Sequence, residues 1–414
     1  MSLQQAREDV VQAGKQLVKA GLIARTWGNV SARISESQFV ITPSGRAYET
    51  LTPAEIVTVN IADSSYQGEI KPSSEKGIHA VVYRQRPEIN FIIHTHQVYA
   101  SVVSTLHRDI TGIESATAAV IGSKVPCASY GLPGSQKLRK GVAAALSRSD
   151  GKAFLMANHG ALCLGQDRAE AFKVAAELEQ LCAGFVMRRY LQLSGQKEED
   201  WAQLRGYYLA ELSPGSSPAD LPARRPLYNS TRSGDHFVLY LNATPGEPFP
   251  EGGAGQIKVG LDKSAGENGK IPPEAEIHRC IYRQFKGLRA IIHTTSPDIL
   301  TVSQTGRAVY PLLDDFAQIV GVSARVAADS PLPAAARLIA RKMKGRYAVM
   351  IKDNGALCCG PSKSDAAAAA QVLDKGCKAV IGAALFGGAR PIHPIESLLM
   401  RFVYQTKYAR KAAE

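Results

Sequence analysis

Three histidines in the first part of the chain are spaced so that they could bind one divalent metal ion. His94 and His96 are separated by one residue at the end of the apolar run NFII, and residues two apart share one face of a β-strand. His159 follows a second apolar run and precedes Gly160, which suits a strand that ends in a sharp turn. Three imidazoles form a transition-metal site with one position open to a substrate. The same spacing also fits a polar strand edge beside an isolated turn histidine.

The string PSSE at 72–75 provides a candidate base and candidate anion ligands. Either Ser73 or Ser74 could cap a helix that begins here, and the free amides at a helix start also attract phosphate. Glu75 could simply complete that cap. Alternatively, burial beside a metal ion would tune its carboxylate for general base catalysis.

Two further polar strings, GNVS at 28–31 and TPSG at 42–45, lie beside predicted strands. Each offers backbone N–H groups and short polar side chains that could bind an oxyanion. Ordinary turns contain the same residue types. Three such strings in one domain, next to a possible metal site, favour a site for a small phosphorylated molecule.

A mixture of helices and strands must position these residues. The sequence pattern predicts helices over 3–20, from PSSE to Arg86 and over 167–193, and it predicts strands over 39–43, 90–97 and 153–160. Strands flanked by helices without regular βαβ alternation indicate a mixed, layered α/β fold rather than a doubly wound sheet.

The chain contains an internal repeat. Residues 78–95 (IHAVVYRQRPEINFIIHT) are similar to residues 277–294 (IHRCIYRQFKGLRAIIHT). In the same way, NHGALCLG at 158–165 is similar to DNGALCCG at 353–360. Similarity at matching positions indicates two copies of one domain.

The segment SPGSSPADLPARRP between the copies is rich in Pro and Ser, which is typical of a linker. We therefore predict a first half at 1–212, a linker at 213–226 and a second half at 227–414. Two domains also suit the length of 414 residues, because a single core rarely grows beyond about 250–300 residues.

The second half lacks most of the candidate metal ligands. It keeps His293, but Thr295 stands where the first half has His96, and Asn354 stands where it has His159. PPE replaces SSE, and no GNxS string is present. One imidazole and one amide make a poor zinc site, so we predict that the second half is not catalytic.

Composition excludes several classes of protein. Seven scattered cysteines without a CxxC pair indicate reduced thiols and a cytoplasmic protein. We find no run of about 20 apolar residues and no secretory signal, so we expect no membrane association. The net charge of +12 is spread along the chain without an RNA-binding motif, so we expect an anionic substrate and no nucleic acid.

The five strings GNVS, TPSG, KPSSE, HTH and NHG, in this order and spacing, resemble the class II aldolase/adducin family, whose prototype is the L-fuculose-phosphate aldolase group. The resemblance is close over the first half and loose over the second. It implies mixed, layered α/β/α domains, two in tandem, the first catalytic and the second degenerate. It implies a divalent metal, Zn²⁺ before others, on His94, His96 and His159, with Glu75 as the acid/base residue. The phosphate ligands that it implies are Gly28, Asn29, Ser44, Gly45, Ser73 and Ser74.

The function that this resemblance implies is a metal-dependent lyase. Such an enzyme cleaves or forms a carbon–carbon bond in a phosphorylated sugar by retro-aldol chemistry, through an enediolate. Epimerases, decarboxylases and dehydratases of the family use a similar site. The epimerases tend to carry Asp where this chain has Glu75, which favours an aldolase or a decarboxylase. An adducin-like scaffold without catalysis is the alternative from a different class.

The family's aldolases also use a tyrosine from a neighbouring subunit. Ser115 aligns with that tyrosine, so we expect a different residue or a different reaction here, with Tyr207 and Tyr208 as candidate substitutes. Because the family commonly forms four-fold tetramers with active sites between neighbours, we expect a homo-oligomer, either a tetramer or a dimer of tandem chains. In the dimer, the second half would form the neighbour's wall of the first half's site.

Overall fold

The computed structural model describes residues 2–23, 27–215, 225–253, 255–262, 271–328 and 330–407. It contains two mixed seven-stranded sheets, one in each half of the chain. Most of the predicted linker lies at 216–224, outside the described residues. None of the described helices is long and apolar enough to cross a membrane.

The first half alternates irregularly between helices and strands. Its helices are α1 (Leu3–Lys19), α2 (Lys76–Gln85), α3 (Val98–Ser104), α4 (Ser115–Ile121), α5 (Gln136–Leu146), α6 (Arg168–Ser194) and α7 (Trp201–Tyr207), the last continued by a π-helical turn (Tyr208–Leu212). Its strands are β1 (Asn29–Arg33), β2 (Gln38–Ile41), β3 (Val57–Asn60), β4 (Phe91–Thr95), β5 (Cys127–Ala128), β6 (Ala153–Met156) and β7 (Gly160–Gly165).

The second half repeats this order of elements, and its described residues contain no counterpart of α1. Its strands are β8 (Asn229–Ser233), β9 (His236–Tyr240), β10 (Gln256–Gly260), β11 (Ala290–Thr294), β12 (Arg325–Ala327), β13 (Ala348–Ile351) and β14 (Gly355–Gly360). Its helices are α8 (Ala275–Gln284), α9 (Pro297–Gln304), α10 (Asp314–Ile319), α11 (Ala334–Met343), α12 (Lys363–Ala384) and α13 (Pro394–Lys407).

The two sheets have the same topology. The strand order is β3-β2-β1-β4-β7-β6-β5 in the first sheet and β10-β9-β8-β11-β14-β13-β12 in the second. Of the strand pairs, only β5–β6 and β12–β13 are parallel within the described residues. Equal topology supports the interpretation that the halves arose from one repeated domain.

Each sheet is covered by helices on both faces. Successive residues of β4 point to opposite sides, so Ile92 packs in the core beneath α2 and α5, and Ile93 packs in the core beneath α1, α3 and α6. In the second half, α8 and α11 cover one face, and α9, α10 and α12 cover the other. The expectation of mixed, layered α/β/α domains in tandem is therefore confirmed.

The two halves share one hydrophobic core. A single buried cluster includes apolar residues of α3 and α6 together with residues of α9, α10 and α12. The helices α3 and α12 approach so closely that a Cβ on Gly382 would lie 2.6 Å from a methyl group of Val102. Phe185 and Phe386 stack across the same boundary with ring centroids 5.2 Å apart. The relative position of the halves is therefore fixed by core packing.

The predicted helices of the first half overlap α1, α2 and α6, and the predicted strands overlap β2, β4 and β6. The predicted strand over 153–160 is wrong beyond Met156, where a turn precedes β7. The predicted start of α2 is also wrong. Neither Ser73 nor Ser74 caps this helix, because Glu75 occupies the N-cap position without a side-chain cap bond. The Ser73 hydroxyl instead accepts a hydrogen bond from the Glu75 amide at 3.2 Å. This arrangement leaves the Glu75 carboxylate free to point away from the helix, towards the histidines.

Candidate metal centre and active site

The three histidines converge through their Nε2 atoms. His94 lies on β4 in the centre of the sheet, and His96 follows the end of that strand. His159 lies in the turn between β6 and β7, and β7 pairs with β4. The Nε2 atom of His94 is 3.2 Å from that of His96 and 3.1 Å from that of His159.

Glu75 completes this group from the start of α2. Its carboxylate oxygens lie 3.1 Å from the Nε2 atoms of His94 and His159. The ligand atoms of the four residues all lie within 4.8 Å of one another, and they form the one group of its kind in the described parts of the chain. Asn29 on β1 orients the carboxylate by donating to it from Nδ2 at 3.1 Å.

The donor atoms fit a bound cation. The Nδ1 atom of His94 lies 2.9 Å from the carbonyl oxygen of Ala161, and a carbonyl can only accept a hydrogen bond. Nδ1 therefore carries the proton, and Nε2 presents its lone pair to the other imidazoles. Nitrogen atoms that face one another at this distance repel unless they share a positive charge, so the cluster suits a divalent transition metal.

The carboxylates and imidazoles of this group shift one another's pKa values. Burial would raise the pKa of the Glu75 carboxyl, but the imidazoles of His159 and His94 outweigh burial and hold that pKa well below its usual range. Burial would lower the pKa of His159, yet Asp314 and Glu75 raise it well above its usual value. Burial lowers the pKa of His96, although Asp315 opposes the shift. The site is thus built to hold an anionic carboxylate beside a cation.

The second half contributes two carboxylates to this group from the start of α10. An oxygen of Asp314 lies 3.0 Å from Nδ1 of His159. An oxygen of Asp315 lies 3.6 Å from Nδ1 of His96, and the other oxygen of Asp314 lies 3.8 Å from the same atom. Both aspartates are buried. The Lys375 ammonium donates to the Asp315 carboxylate and also to the His96 carbonyl, at 3.1 Å for the carbonyl.

The predicted phosphate ligands lie beside Glu75 on three adjoining segments. The amide of Ser73 donates to the Thr42 carbonyl at 3.0 Å, and the amide of Ser44 donates to the Lys71 carbonyl at 2.9 Å, so the strings TPSG and PSSE lie side by side. Gly28 precedes β1, and Asn29 begins this strand on the other side of Glu75. However, the amide side chain of Asn29 is already bonded to Glu75 and His79.

A cavity opens next to Glu75 at the start of α2. Ser74 lines it from the segment before α2, Lys76 and Gly77 line it from α2, and Gly134 and Arg139 line it from the loop before α5 and from α5 itself. The buried Nε atom of Arg139 has no hydrogen-bond partner among the described residues. Burial, and then the charge of Arg139, lower the pKa of Lys76. A phosphate in this cavity would meet two cations, whereas the amides of Lys76 and Ile78 already donate to the carbonyls of Ser73 and Glu75.

In the second half, the residues that match His94 and His159 are bonded to backbone carbonyl groups. Nε2 of His293 lies 2.8 Å from the carbonyl oxygen of Asn354. The Asn354 amide in turn donates to the Arg225 carbonyl at 3.0 Å. The position of His159 is therefore occupied by an amide that bonds to backbone.

The candidate proton donors Tyr207 and Tyr208, and the aligned position Ser115, are not part of the cluster of Glu75 and the three histidines. Ser115 is exposed at the start of α4. Tyr207 packs edge-on against Tyr190, with ring centroids 5.8 Å apart. Tyr208 is buried among apolar residues, which raises its pKa to about 12.

Sequence reasoning missed Asp314, Asp315 and Lys375, all from the second half. A signal was available, because α10 begins at Asp314 and occupies the same place in its half as α4, which begins at Ser115, in the first. It also missed Tyr130, whose buried hydroxyl has no hydrogen-bond partner among the described residues. Burial and the nearby carboxylates of Glu396 and Asp314 raise the pKa of that hydroxyl.

Comparison with known proteins identifies relatives of this chain. The sequence profile described as "Class II Aldolase and Adducin N-terminal domain" matches residues 8–186 and 253–381. A 5-deoxy-D-ribulose 1-phosphate aldolase of Bacillus thuringiensis serovar kurstaki is 38% identical over 184 residues, which are 44% of this chain and 84% of that protein. An L-fuculose phosphate aldolase of Escherichia coli K12 is 35% identical over 172 residues, 42% of this chain and 78% of that protein. A solved structure of an L-fuculose 1-phosphate aldolase is 31% identical, covering 47% of this chain and 89% of that one with a TM-score of 0.42.

Proposed function

The chain belongs to the class II aldolase and adducin family, and from that premise we propose that it is a metal-dependent aldolase acting on a phosphorylated sugar. We assign catalysis to the first half (1–212) and a non-catalytic role to the second (227–414), joined by the segment 213–226. The observation that carries the proposal is the convergence of three imidazole Nε2 atoms and the Glu75 carboxylate in one buried group.

We assign His94, His96 and His159 as ligands of a divalent ion, with zinc the first candidate because it prefers imidazole nitrogen in sites with an open position. Such an ion would polarise the substrate's carbonyl and hydroxyl oxygens and stabilise the negative charge that develops as a carbon–carbon bond breaks. Glu75 is buried, ionised and held by Asn29. It would return a proton to the carbon next to the carbonyl during cleavage and remove that proton during condensation.

The relatives' names suggest the substrate class, a 2-ketose 1-phosphate. Retro-aldol cleavage of such a sugar between its third and fourth carbons releases dihydroxyacetone phosphate and an aldehyde. We assign phosphate binding to the segments that carry Gly28, Asn29, Ser44, Gly45, Ser73 and Ser74, and we add the cavity beside Ser74. Lys76 and Arg139 in that cavity supply the positive charge that a phosphate requires.

Bound zinc and product release test this proposal together. We expect about one zinc ion per chain after dialysis, since the described residues contain one suitable cluster. His159→Ala should lose the ion, whereas His293→Ala, at the position of the second half that matches His94, should retain it. Dihydroxyacetone phosphate formed from L-fuculose 1-phosphate or 5-deoxy-D-ribulose 1-phosphate is measured with a coupled reductase.

A chain that binds no zinc would overturn the proposal and leave the scaffold role. Zinc binding with an altered sugar but no aldehyde would indicate an epimerase. Release of carbon dioxide from a sugar acid phosphate would indicate a decarboxylase, and loss of water would indicate a dehydratase.

A further inference from the structure

We propose that Asp314 and Asp315 of the second half are positioning residues for the metal-binding imidazoles of the first half. This inference rests on the proposed metal site, and it explains what the degenerate half contributes to it. The two carboxylates would hold the rings of His159 and His96 so that their Nε2 atoms face the ion.

The three candidate ligands differ in what holds the far side of each ring. The Nδ1 atom of His94 is held by the Ala161 carbonyl from its own half, at 2.9 Å. The Nδ1 atoms of His96 and His159 are buried and form no hydrogen bond of good geometry within the described residues. The polar groups next to them are the carboxylates of the second half, with Asp314 3.0 Å from His159 and Asp315 3.6 Å from His96.

A carboxylate in this position has a defined chemical effect. It keeps the proton on Nδ1, so that Nε2 is the lone-pair atom, and it fixes the orientation of the ring. It also makes the imidazole a stronger donor towards the metal. Asp314 would therefore do for His159 what the Ala161 carbonyl does for His94.

Two hydrogen bonds to Asn158 fix the position of Asp314. The Asn158 side chain donates to the Leu312 carbonyl at 2.7 Å, and the amide of Asp314 donates to the Asn158 carbonyl at 2.9 Å. Asn158 precedes His159 and has a left-handed backbone with φ of 58°. These two bonds join the turn that carries His159 to the start of α10, across the boundary between the halves.

The charge of the second carboxylate is balanced within the interface. Lys375 on α12 donates to Asp315 and, at 3.1 Å, to the carbonyl of His96. A buried carboxylate without a cation would be strongly destabilising. The lysine therefore allows Asp315 to stay ionised beside His96.

The two repeated halves differ at the position of the supporting carboxylate. In the first half, the residue at the place of Asp314 is Ser115, which is exposed. In the second half, the remaining His293 bonds to the Asn354 carbonyl. The half that lost the ligands carries the supporting carboxylates, and the half that kept the ligands does not.

Zinc affinity of the full-length chain tests the inference. Removing a carboxylate behind a metal-binding histidine weakens binding about 10–100-fold, so Asp314→Asn should raise the zinc dissociation constant by that factor. Asp315→Asn should have a smaller effect, because its carboxylate is farther from the imidazole. Asp298→Asn is the matched control, since Asp298 is also a buried aspartate of the second half but pairs with Lys378 and Arg205.

The dissociation constant is measured by competition with a chromogenic chelator. The visible spectrum of the cobalt-substituted protein reports the ligand geometry separately, and it should shift in Asp314→Asn but not in Asp298→Asn. Asp314→Glu, which restores a carboxylate, should recover part of the affinity. If unsubstituted protein binds zinc and all variants bind it equally with unchanged cobalt spectra, the inference is wrong although the metal site stands. If the unsubstituted protein binds no zinc, both proposals fail.

Discussion

Gly28 lies so close to His94 that no side chain fits between them. A Cβ on Gly28 would be 2.4 Å from the carbonyl oxygen of His94, and the φ angle of Gly28 is 94°. The chain thus approaches β4 at His94, the central histidine of the candidate metal site. The glycine of the GNVS string has a structural role in bringing β1 against β4, and this role is independent of any contact with phosphate.

Gly28→Ala should therefore displace β4 as well as strain the backbone. Gly68→Ala is the matched control, because Gly68 has a φ of 95° and nothing within 4 Å of the added Cβ. We expect Gly68→Ala to cost about 1–2 kcal/mol in free energy of unfolding, the usual cost of a left-handed L-residue. Gly28→Ala should cost more and should also weaken zinc binding. Equal losses for the two variants, measured by urea denaturation, would show that the contact with His94 does not matter.

The local pattern of the first half was sufficient to predict α1, α2 and α6, strands that overlap β2, β4 and β6, and the four residues that cluster. His94 and His96 share a face because a strand has a period of two, and His159 lies nearby because β7 pairs with β4. The order of the strings GNVS, TPSG, KPSSE, HTH and NHG along the chain then indicated which residues lie together in the fold.

The supporting carboxylates could not be predicted in the same way. Asp314 and Asp315 have no local signature, and their contact with His159 and His96 depends on how the halves dock. That docking is decided by shared core packing, for example where α12 meets α3 at Gly382. Comparing Asp314 with Ser115 across the repeat would have drawn attention to the position, but not to its partner.

A buried neutral histidine in the second half should make the protein sensitive to acid. Nε2 of His278 lies 2.6 Å from the Leu227 carbonyl, and Nδ1 lies 2.7 Å from the Ser230 hydroxyl. Burial lowers the pKa of His278 from 6.5 to about 4, although the Leu227 carbonyl opposes the shift. Between these values the unfolded chain binds a proton that the folded chain does not. The free energy of unfolding should therefore fall as the pH falls from 6.5 to 4, by up to about 1.4 kcal/mol per pH unit for this group.

His278→Gln should reduce the slope of the free energy of unfolding against pH by the contribution of about one proton. Urea denaturation of metal-free protein across that pH range measures the slope without interference from metal release. His393→Gln, at an exposed histidine, controls for the loss of an imidazole. A slope in His278→Gln as steep as in the control would show that His278 does not stay neutral in the folded state.

Breaking the buried ion pair between Lys375 and Asp315 should strongly reduce the free energy of unfolding, whereas replacing both residues with apolar ones should reduce it little. Both side chains are buried, so Lys375→Met leaves an ionised carboxylate without a cation, and we expect a loss of about 3–5 kcal/mol in the free energy of unfolding. The double variant Lys375→Met/Asp315→Leu removes both charges and should recover most of that loss.

Arg283→Met, the control, breaks an exposed pair with Asp262 and should reduce the free energy of unfolding by about 0–1 kcal/mol. Measurement on metal-free protein separates stability from zinc binding, which the double variant should still weaken. If Lys375→Met costs no more than Arg283→Met, the carboxylate next to His96 is not held as an ion by the second half.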